Sequence, residues 1–290
     1  MTEKTQRTVV VTGASSGIGK ATAEAFAMMG WHVIGTGRDP ERSEQAEADI
    51  RSVASDGARV DFVRGDFCEM TDVVRIAGEI ASLTDRIDVL INNAGGVRDQ
   101  KYLSSEGLEA TMAANHFATF LLTRELLPIL KATAQGQPAG SVRVIAVASE
   151  AHRSCSEIRW NDLFWDKDYA ASAIYCQAKL CNILFIRELD RQVSPNGIVA
   201  QSMGPGVVHT NFASHGDEMM QTYLEDAPGA TPAEAARTLV WMATSNECGD
   251  DGGRYFYELE EKPLTDLAKD DEAAKRLWVE SERVLSELGL

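Results

Sequence analysis

Basic residues are in short supply: 28 Lys and Arg stand against 44 Asp and Glu, for a formal charge of −16. Nucleic acids and anionic membrane surfaces reward the opposite balance, so neither is expected as a partner. Cysteines are few, and the five present (Cys68, Cys155, Cys176, Cys181 and Cys248) form no Cys-x-x-Cys. An odd set without that spacing suggests neither a disulfide framework nor a zinc site. His32, His116, His152, His209 and His215 also lack metal-ligand spacing, so no metal is expected. No run of about eighteen apolar residues occurs that could span a bilayer. Met1 to Arg7 leads straight into a strand pattern with no hydrophobic signal region, and a soluble, cytoplasmic chain is the expectation. Internal repeats, linkers and low-complexity tracts are missing too.

What is present is a rhythm. Thr8-Val9-Val10-Val11-Thr12 is a β-branched run suited to a buried parallel strand. It ends in Gly13-Ala14-Ser15-Ser16-Gly17-Ile18-Gly19, and an apolar helical pattern follows to Gly30. Strand, glycine turn and helix together place backbone N–H groups where a pyrophosphate can sit. The spacing Gly-x-x-x-Gly-x-Gly departs from the commonest dinucleotide fingerprint, and two rival motifs compete for it. A triphosphate-binding P-loop would need a glycine at position 14 and Ser or Thr at position 21. The nucleophile elbow Gly-x-Ser-x-Gly fits Gly13 to Gly17, but in hydrolases several strands precede it. Ser15 therefore reads as a phosphate-contacting hydroxyl.

His32 to Gly37 is a second strand, and its exit bears on cofactor choice: an acidic group there favours NAD, an Arg favours NADP. Gly37 and Arg38 favour NADP. Asp39 argues for NAD, although Pro40 after it suits Asp39 as a helix N-cap. Further strands are expected at Arg59 to Val63, Asp88 to Ile91 and Ser141 to Ser149, with a helix from about Thr71 to Leu83. A long helical pattern from about Ser104 to Lys131 carries Asn115, a poor interior helix residue. The alternation predicts an α/β chain with a doubly wound, mostly parallel sheet and no domain boundary. Ser149 ends a strand on the side where such sheets bind ligands.

Tyr175 and Lys179 lie four apart near the start of a helix pattern running to about Gln192, so phenol and ammonium project from one face. A fixed cation stabilises the phenolate and draws the phenol down from its usual pKa near ~10. Thr231-Pro232 should open another helix, Arg254 to Tyr257 should form a last strand, and the amphipathic Asp270 to Leu288 segment should pack on the body or on a partner subunit.

Taken in order, Thr12 to Gly19, Asn92-Asn93-Ala94-Gly95, Asn115, Ser149, Tyr175 with Lys179, and Pro205-Gly206 followed by Thr210 resemble the motif set of the short-chain dehydrogenase/reductase family. The finer pattern is similar to its retinol-dehydrogenase-like branch, which includes relatives of protochlorophyllide reductase. It rests on Asn115-His116-Phe117, Ser149-Glu150-Ala151-His152, Trp160 to Leu163, Tyr175 through Asn182, and Ala274 to Trp278. Ala148 and Ala178 depart from it by replacing common serines, and the hydrophobic N-terminal anchor of membrane-bound retinol dehydrogenases is not seen.

The resemblance implies a single-domain α/β Rossmann fold, with a doubly wound, mostly parallel seven-stranded sheet and helices on both faces, and a carbonyl reductase or alcohol dehydrogenase using NADP(H) in preference to NAD(H). Tyr175 would be the general acid or base, Lys179 would lower its pKa and hold the nicotinamide ribose, Ser149 would bind the substrate oxygen, and Asn115 would position Lys179. Gly13, Ser15, Ser16, Gly17, Ile18 and Gly19 would meet the phosphates and Arg38 the 2′-phosphate. Asp66 and Phe67 would meet the adenine, Asn93, Ala94 and Gly95 the ribose, and Pro205, Gly206, Val208 and Thr210 the nicotinamide end. Asn92 and Asn93 have a plainer reading as links between strands. Two segments, about 151–171 and 207–229, would shape the substrate pocket, and their Trp160, Phe164, Trp165, Tyr169, Phe212, Met219, Met220 and Tyr223 suggest a hydrophobic substrate or simple anchoring of the insertions. A homodimer or homotetramer is compatible with the resemblance. The competing functional reading is a nicotinamide-nucleotide-sensing protein that keeps the fold without the chemistry.

Overall fold

The structure, a computed structural model, describes residues 6–210, Gly216, Gln221 and 227–290. Phe212, Met219, Met220 and Tyr223 lie outside the described residues. Three β–α units come first: β1 (Thr8–Val11), α1 (Gly17–Met28), β2 (His32–Gly37), α2 (Pro40–Val53), β3 (Arg59–Arg64) and α3 (Met70–Leu83). Then β4 (Val89–Asn92) leads to α4 (Ala110–Met112), which passes through a π-helical turn, Ala113–Phe117, into α5 (Ala118–Ala134). The remainder comprises β5 (Val142–Val147), α6 (Ala171–Val193), β6 (Ile198–Met203), α7 (Pro232–Thr244), β7 (Tyr255–Tyr257), β8 (Glu260–Glu261), α8 (Asp266–Lys269) and α9 (Asp271–Glu287).

The strands form one sheet in the order β3-β2-β1-β4-β5-β6-β7-β8, parallel except for the last pair. Among the described residues eight strands stand where seven were expected, because β8 is a two-residue antiparallel edge, too short to show an alternating pattern. The order reverses beside β1, and that switch point is where open α/β sheets take ligands.

Alternation along the strands divides the core into two layers. Val9 and Val11 of β1 pack with Phe26 of α1, Ile50 of α2 and Leu239 of α7 on one face. Val10 faces the other layer, which includes Ile76 of α3, Phe120 of α5, Leu184 of α6 and Leu277 of α9. Helix starts follow from local chemistry. Asp39 accepts the Arg42 amide at 2.9 Å with Pro40 inside the first turn, and Thr231 forms a complete capping box with Glu234. The Asp39 N-cap reading holds.

The C-terminal α9 packs on the body. Trp278 stands edge-on to Phe120 at 4.8 Å and stacks on Phe185 of α6 at 5.9 Å, while His116 Nε2 lies 2.8 Å from Ser281 Oγ. Ser281 donates to the Leu277 carbonyl, so it accepts from His116, which carries its proton on Nε2. Burial pulls the His116 pKa down to about 3. Among the described residues no helix is long and apolar enough to cross a membrane.

Candidate active site

A cleft of about 1040 Å³ runs along the carboxyl ends of the strands, from Arg38 and Asp66 at one end to Ser149, Tyr175 and Lys179 at the other. Its floor is the turn after β1. Gly13 and Gly17 have φ of +67° and +54°, which side chains rarely tolerate. Thr12 Oγ1 accepts the amides of Asn93 and Ala94 at 2.9 and 2.8 Å, tying this turn to the exit of β4. A Cβ on Gly19 would lie 2.3 Å from the Gly13 carbonyl oxygen, so Gly19 lets α1 start against the turn. Ser16 caps α1 without a side-chain bond to it, and Ser16, Gly17 and Ile18 line the cleft.

Of the residues singled out from the sequence, Gly13, Ser15, Ser16, Gly17, Ile18, Arg38, Asp66, Phe67, Asn93, Ala94, Gly95, Ser149, Tyr175, Lys179, Pro205, Gly206, Val208 and Thr210 all line this cleft. Of the expected catalytic and cofactor-binding residues, Gly19 and Asn115 do not: Gly19 sits beneath the turn, and Asn115 is fully buried behind the wall. Asn92 turns away, donating to Thr123 Oγ1 of α5 at 2.9 Å, so it ties β4 to a helix and not, as expected, to a neighbouring strand. Asn93 does both jobs, lining the cleft and donating to the Thr12 carbonyl at 2.8 Å.

Asn115, a poor interior helix residue, occupies the π-helical turn between α4 and α5. Its amide donates to the Gly96 and Thr111 carbonyls at 2.7 Å each, and its Oδ1 accepts the Gly96 amide at 3.2 Å. A Cβ on Gly95 would meet Asn115 Oδ1 at 2.4 Å and Lys179 Nζ at 3.4 Å, so glycine is what lets these two groups approach the wall.

Tyr175 and Lys179 are both buried on the cleft face of α6. Lys179 Nζ donates to the Val147 carbonyl at 3.1 Å and lies 5.6 Å from the centre of the Tyr175 ring. Burial pulls the Lys179 pKa down to about 8. The Tyr175 phenol moves up, chiefly through burial, and a hydrogen bond with Ser149 opposes that rise. This differs from the expectation that Lys179 brings the phenol down: the ammonium is engaged by a carbonyl, and desolvation dominates. Ser149 Oγ accepts the Ala151 amide at 3.1 Å, which orients its hydroxyl.

The four aromatics of the insertion between Ser149 and Tyr175 are anchors. Phe164 stacks on Phe117 at 5.3 Å, Trp160 lies under Arg276 of α9 at 4.3 Å, Trp165 Nε1 donates to Gln177, and Tyr169 reaches Glu109. None lines the cleft. Arg98, Arg153, Cys176, Tyr257 and Lys262 do line it and were missed from the sequence. Tyr257 could have been found, because it ends the last expected strand on the ligand side, whereas the two arginines and Lys262 carry no local signal.

The cleft fits a dinucleotide on its own geometry. It offers a glycine cradle beneath a helix start, an elongated cavity, and a guanidinium at the far end, Arg38 Nη1, that reaches Asp66 Oδ2 at 3.4 Å. Comparison with known proteins places this geometry. The short chain dehydrogenase family profile matches residues 7–161. Retinol dehydrogenase 13 of Homo sapiens is 35% identical over 287 residues, covering 96% of this chain and 84% of its own length. Polyprenol dehydrogenase of Mus musculus is 32% identical over 284 residues, covering 96% and 83%. Among solved structures, an uncharacterized protein from Mycobacterium Paratuberculosis superposes with a TM-score of 0.74 at 31% identity, covering 96% of this chain and 92% of its own. With the glycine turn, the sheet order and the Ser149–Tyr175–Lys179 cluster, these matches establish that the chain belongs to the short-chain dehydrogenase/reductase family, in its retinol-dehydrogenase-like branch.

Proposed function

We propose that the protein transfers a hydride between NADP(H), used in preference to NAD(H), and a carbonyl or alcohol on a hydrophobic molecule. The observation that carries this reading is the half-buried Ser149 hydroxyl paired with the buried Tyr175 phenol, beside buried Lys179, in a cleft that also holds a glycine cradle. The names of the relatives, for retinol and for polyprenol, favour an apolar alcohol or the matching carbonyl. Support for NADP comes from the exit of β2. Arg38, Asp39 and Arg42 all line the cleft there, but Asp39 Oδ1 already accepts the Arg42 amide as the α2 N-cap, which leaves the two guanidiniums as the groups offered to a 2′-phosphate.

The bound nicotinamide would supply the hydride chemistry. Gly13, Ser15, Ser16, Gly17 and Ile18 would hold the phosphates, Arg38 the 2′-phosphate, Asp66 and Phe67 the adenine, Asn93 to Gly95 the ribose, and Pro205 to Thr210 the nicotinamide end. Tyr175 Oη gives a proton to the carbonyl oxygen in reduction and takes it from the alcohol in oxidation. Burial that keeps the phenol protonated suits the acid role. The Ser149 hydroxyl, oriented by the Ala151 amide, donates to the substrate oxygen as charge develops on it. Lys179, whose ammonium donates to the Val147 carbonyl, would hold the ribose hydroxyls, and Asn115 holds the Gly95–Gly96 wall beside it.

Consumption of NADPH and NADH against aliphatic, aromatic and retinoid aldehydes and ketones tests the reading, with Tyr175→Phe as control. NADPH-preferring turnover that vanishes in the variant is the expected result. Saturable NADPH binding without turnover would favour the nucleotide-sensing alternative, and no binding would overturn both.

A further inference from the structure

Gln177 lies between Tyr175 and Lys179 in sequence yet projects from the opposite side of α6, because two residues along a helix turn it by roughly 200°. Its side chain is completely buried. The carboxamide oxygen accepts the Arg159 amide at 3.0 Å and the Trp165 indole N–H at 3.1 Å. The nitrogen donates to the Leu163 carbonyl at 3.0 Å, and the Met112 sulfur lies 3.8 Å away. One side chain thus ties the insertion to α6 at the level of the proposed proton donor. Leu163 and Trp165 pack in the same core cluster as Ile174, so the tie is reinforced by apolar contacts.

The insertion also carries backbone strain. Trp165 has φ of +53° and Asp168 φ of +50°, a region disfavoured for bulky side chains. Such a conformation persists only where the surroundings over-determine it. Here the Trp165 ring is covered by the Arg159 guanidinium at 3.5 Å and its N–H is fixed by Gln177. A segment that only bridged Ser149 to α6 would have no need of that conformation.

We infer that Gln177 is a positioning residue, and that through it the 158–165 insertion sets the roll of α6 about its axis and so the aim of Tyr175 and Lys179 into the cleft. The inference rests on the hydride-transfer reading above. Hydrogen bonds on the far face act as a lever, since a rotation of α6 must break all of them together. A packed apolar contact alone would let the helix slip between neighbouring arrangements.

The test compares the full chain with Gln177→Met, Gln177→Ala and Trp165→Phe. Binding sites are counted by NADPH titration, so that kcat refers to folded, cofactor-binding protein. In both Gln177 variants kcat per site is expected to fall by roughly 10- to 100-fold, as small misplacements of reacting groups do, with NADPH affinity unchanged. Trp165→Phe, which keeps two of the three oxygen and nitrogen partners, should lose less. A kcat per site equal to that of the wild type in Gln177→Met overturns the proposal even if the variant is less stable, since that is the behaviour of a merely structural residue. Where Gln177→Ala does not fold, the Met variant decides. Should the wild type turn over no substrate, the hydride-transfer reading fails, and hydrogen exchange of the Ile174 to Leu180 amides decides the clamp separately. Faster exchange in Gln177→Met supports it, and wild-type rates overturn it.

Discussion

Lys179→Met should make the protein more stable at neutral pH while removing its turnover. The ammonium is buried against a single carbonyl, and burial lowers its pKa from 10.5 to about 8. One pKa unit is ~1.4 kcal/mol, so the charged form costs the native state ~3 kcal/mol relative to the unfolded chain. Methionine fills a similar volume without the charge, but it leaves the Val147 carbonyl with only the weak Asn182 donor at 3.5 Å. Setting a lost hydrogen bond of about 1–2 kcal/mol against that relief predicts a net gain of about 1–2 kcal/mol at pH 7. The pH dependence carries the sign. A lysine whose native pKa lies below its unfolded value is protonated in both states at pH 7, and its cost is then in full force. As pH rises through about 8 the native side chain sheds its proton before the unfolded one does, so wild-type stability rises until about 10.5. Between pH 7 and about 9.5 the wild type should gain ~2 kcal/mol that the variant does not, and the two urea denaturation curves should converge. Measurement stays below pH 10, above which the raised Tyr175 phenol works in the opposite direction. A variant less stable than the wild type at pH 7, or a gap that does not narrow with pH, would refute the reasoning.

Arg38→Ala removes a charged hydrogen bond from the proposed 2′-phosphate site, worth ~1.5–3 kcal/mol, and should weaken NADPH by roughly 10- to 100-fold with little change for NADH. Equal losses for the two, read by equilibrium fluorescence titration, would show that Arg38 does not read the 2′-phosphate. Gly19→Ala puts a Cβ 2.3 Å from a backbone oxygen, so stability should fall by about 1–3 kcal/mol and NADPH affinity with it. Gly78 of α3 has no atom within 4 Å of its added Cβ, and Gly78→Ala should instead stabilise by about 0.5–1 kcal/mol without touching affinity. Thermal melts and cofactor titration of the pair check both signs.

Much of the cleft was readable in the chain because its parts announce themselves locally. Val9, Val10 and Val11 lead into a glycine turn, and Ser149 follows the end of β5 by two residues, so both fall on the ligand side of a parallel sheet. Asn115 was readable as an anomaly within a helical pattern, and the π-helical turn is the form that anomaly takes. Arg98 and Arg153 were invisible, since an isolated arginine in a loop looks like any solvated charge until the fold brings it to a wall.

The sequence by itself determined the α/β alternation, the glycine cradle and the spacing of Tyr175 and Lys179, because periodicity and turn chemistry act over a few residues. Only the tertiary structure decided the protonation balance, the fate of the aromatics and the eighth strand. Burial raises Tyr175 and lowers Lys179 through desolvation, which depends on what packs around them. Trp160 and Phe164 became anchors because Arg276 and Phe117, from distant parts of the chain, meet them, and Trp165 because the fold returns the insertion onto Gln177 of α6. Glu260 and Glu261 became a strand because β7 offered them an open edge.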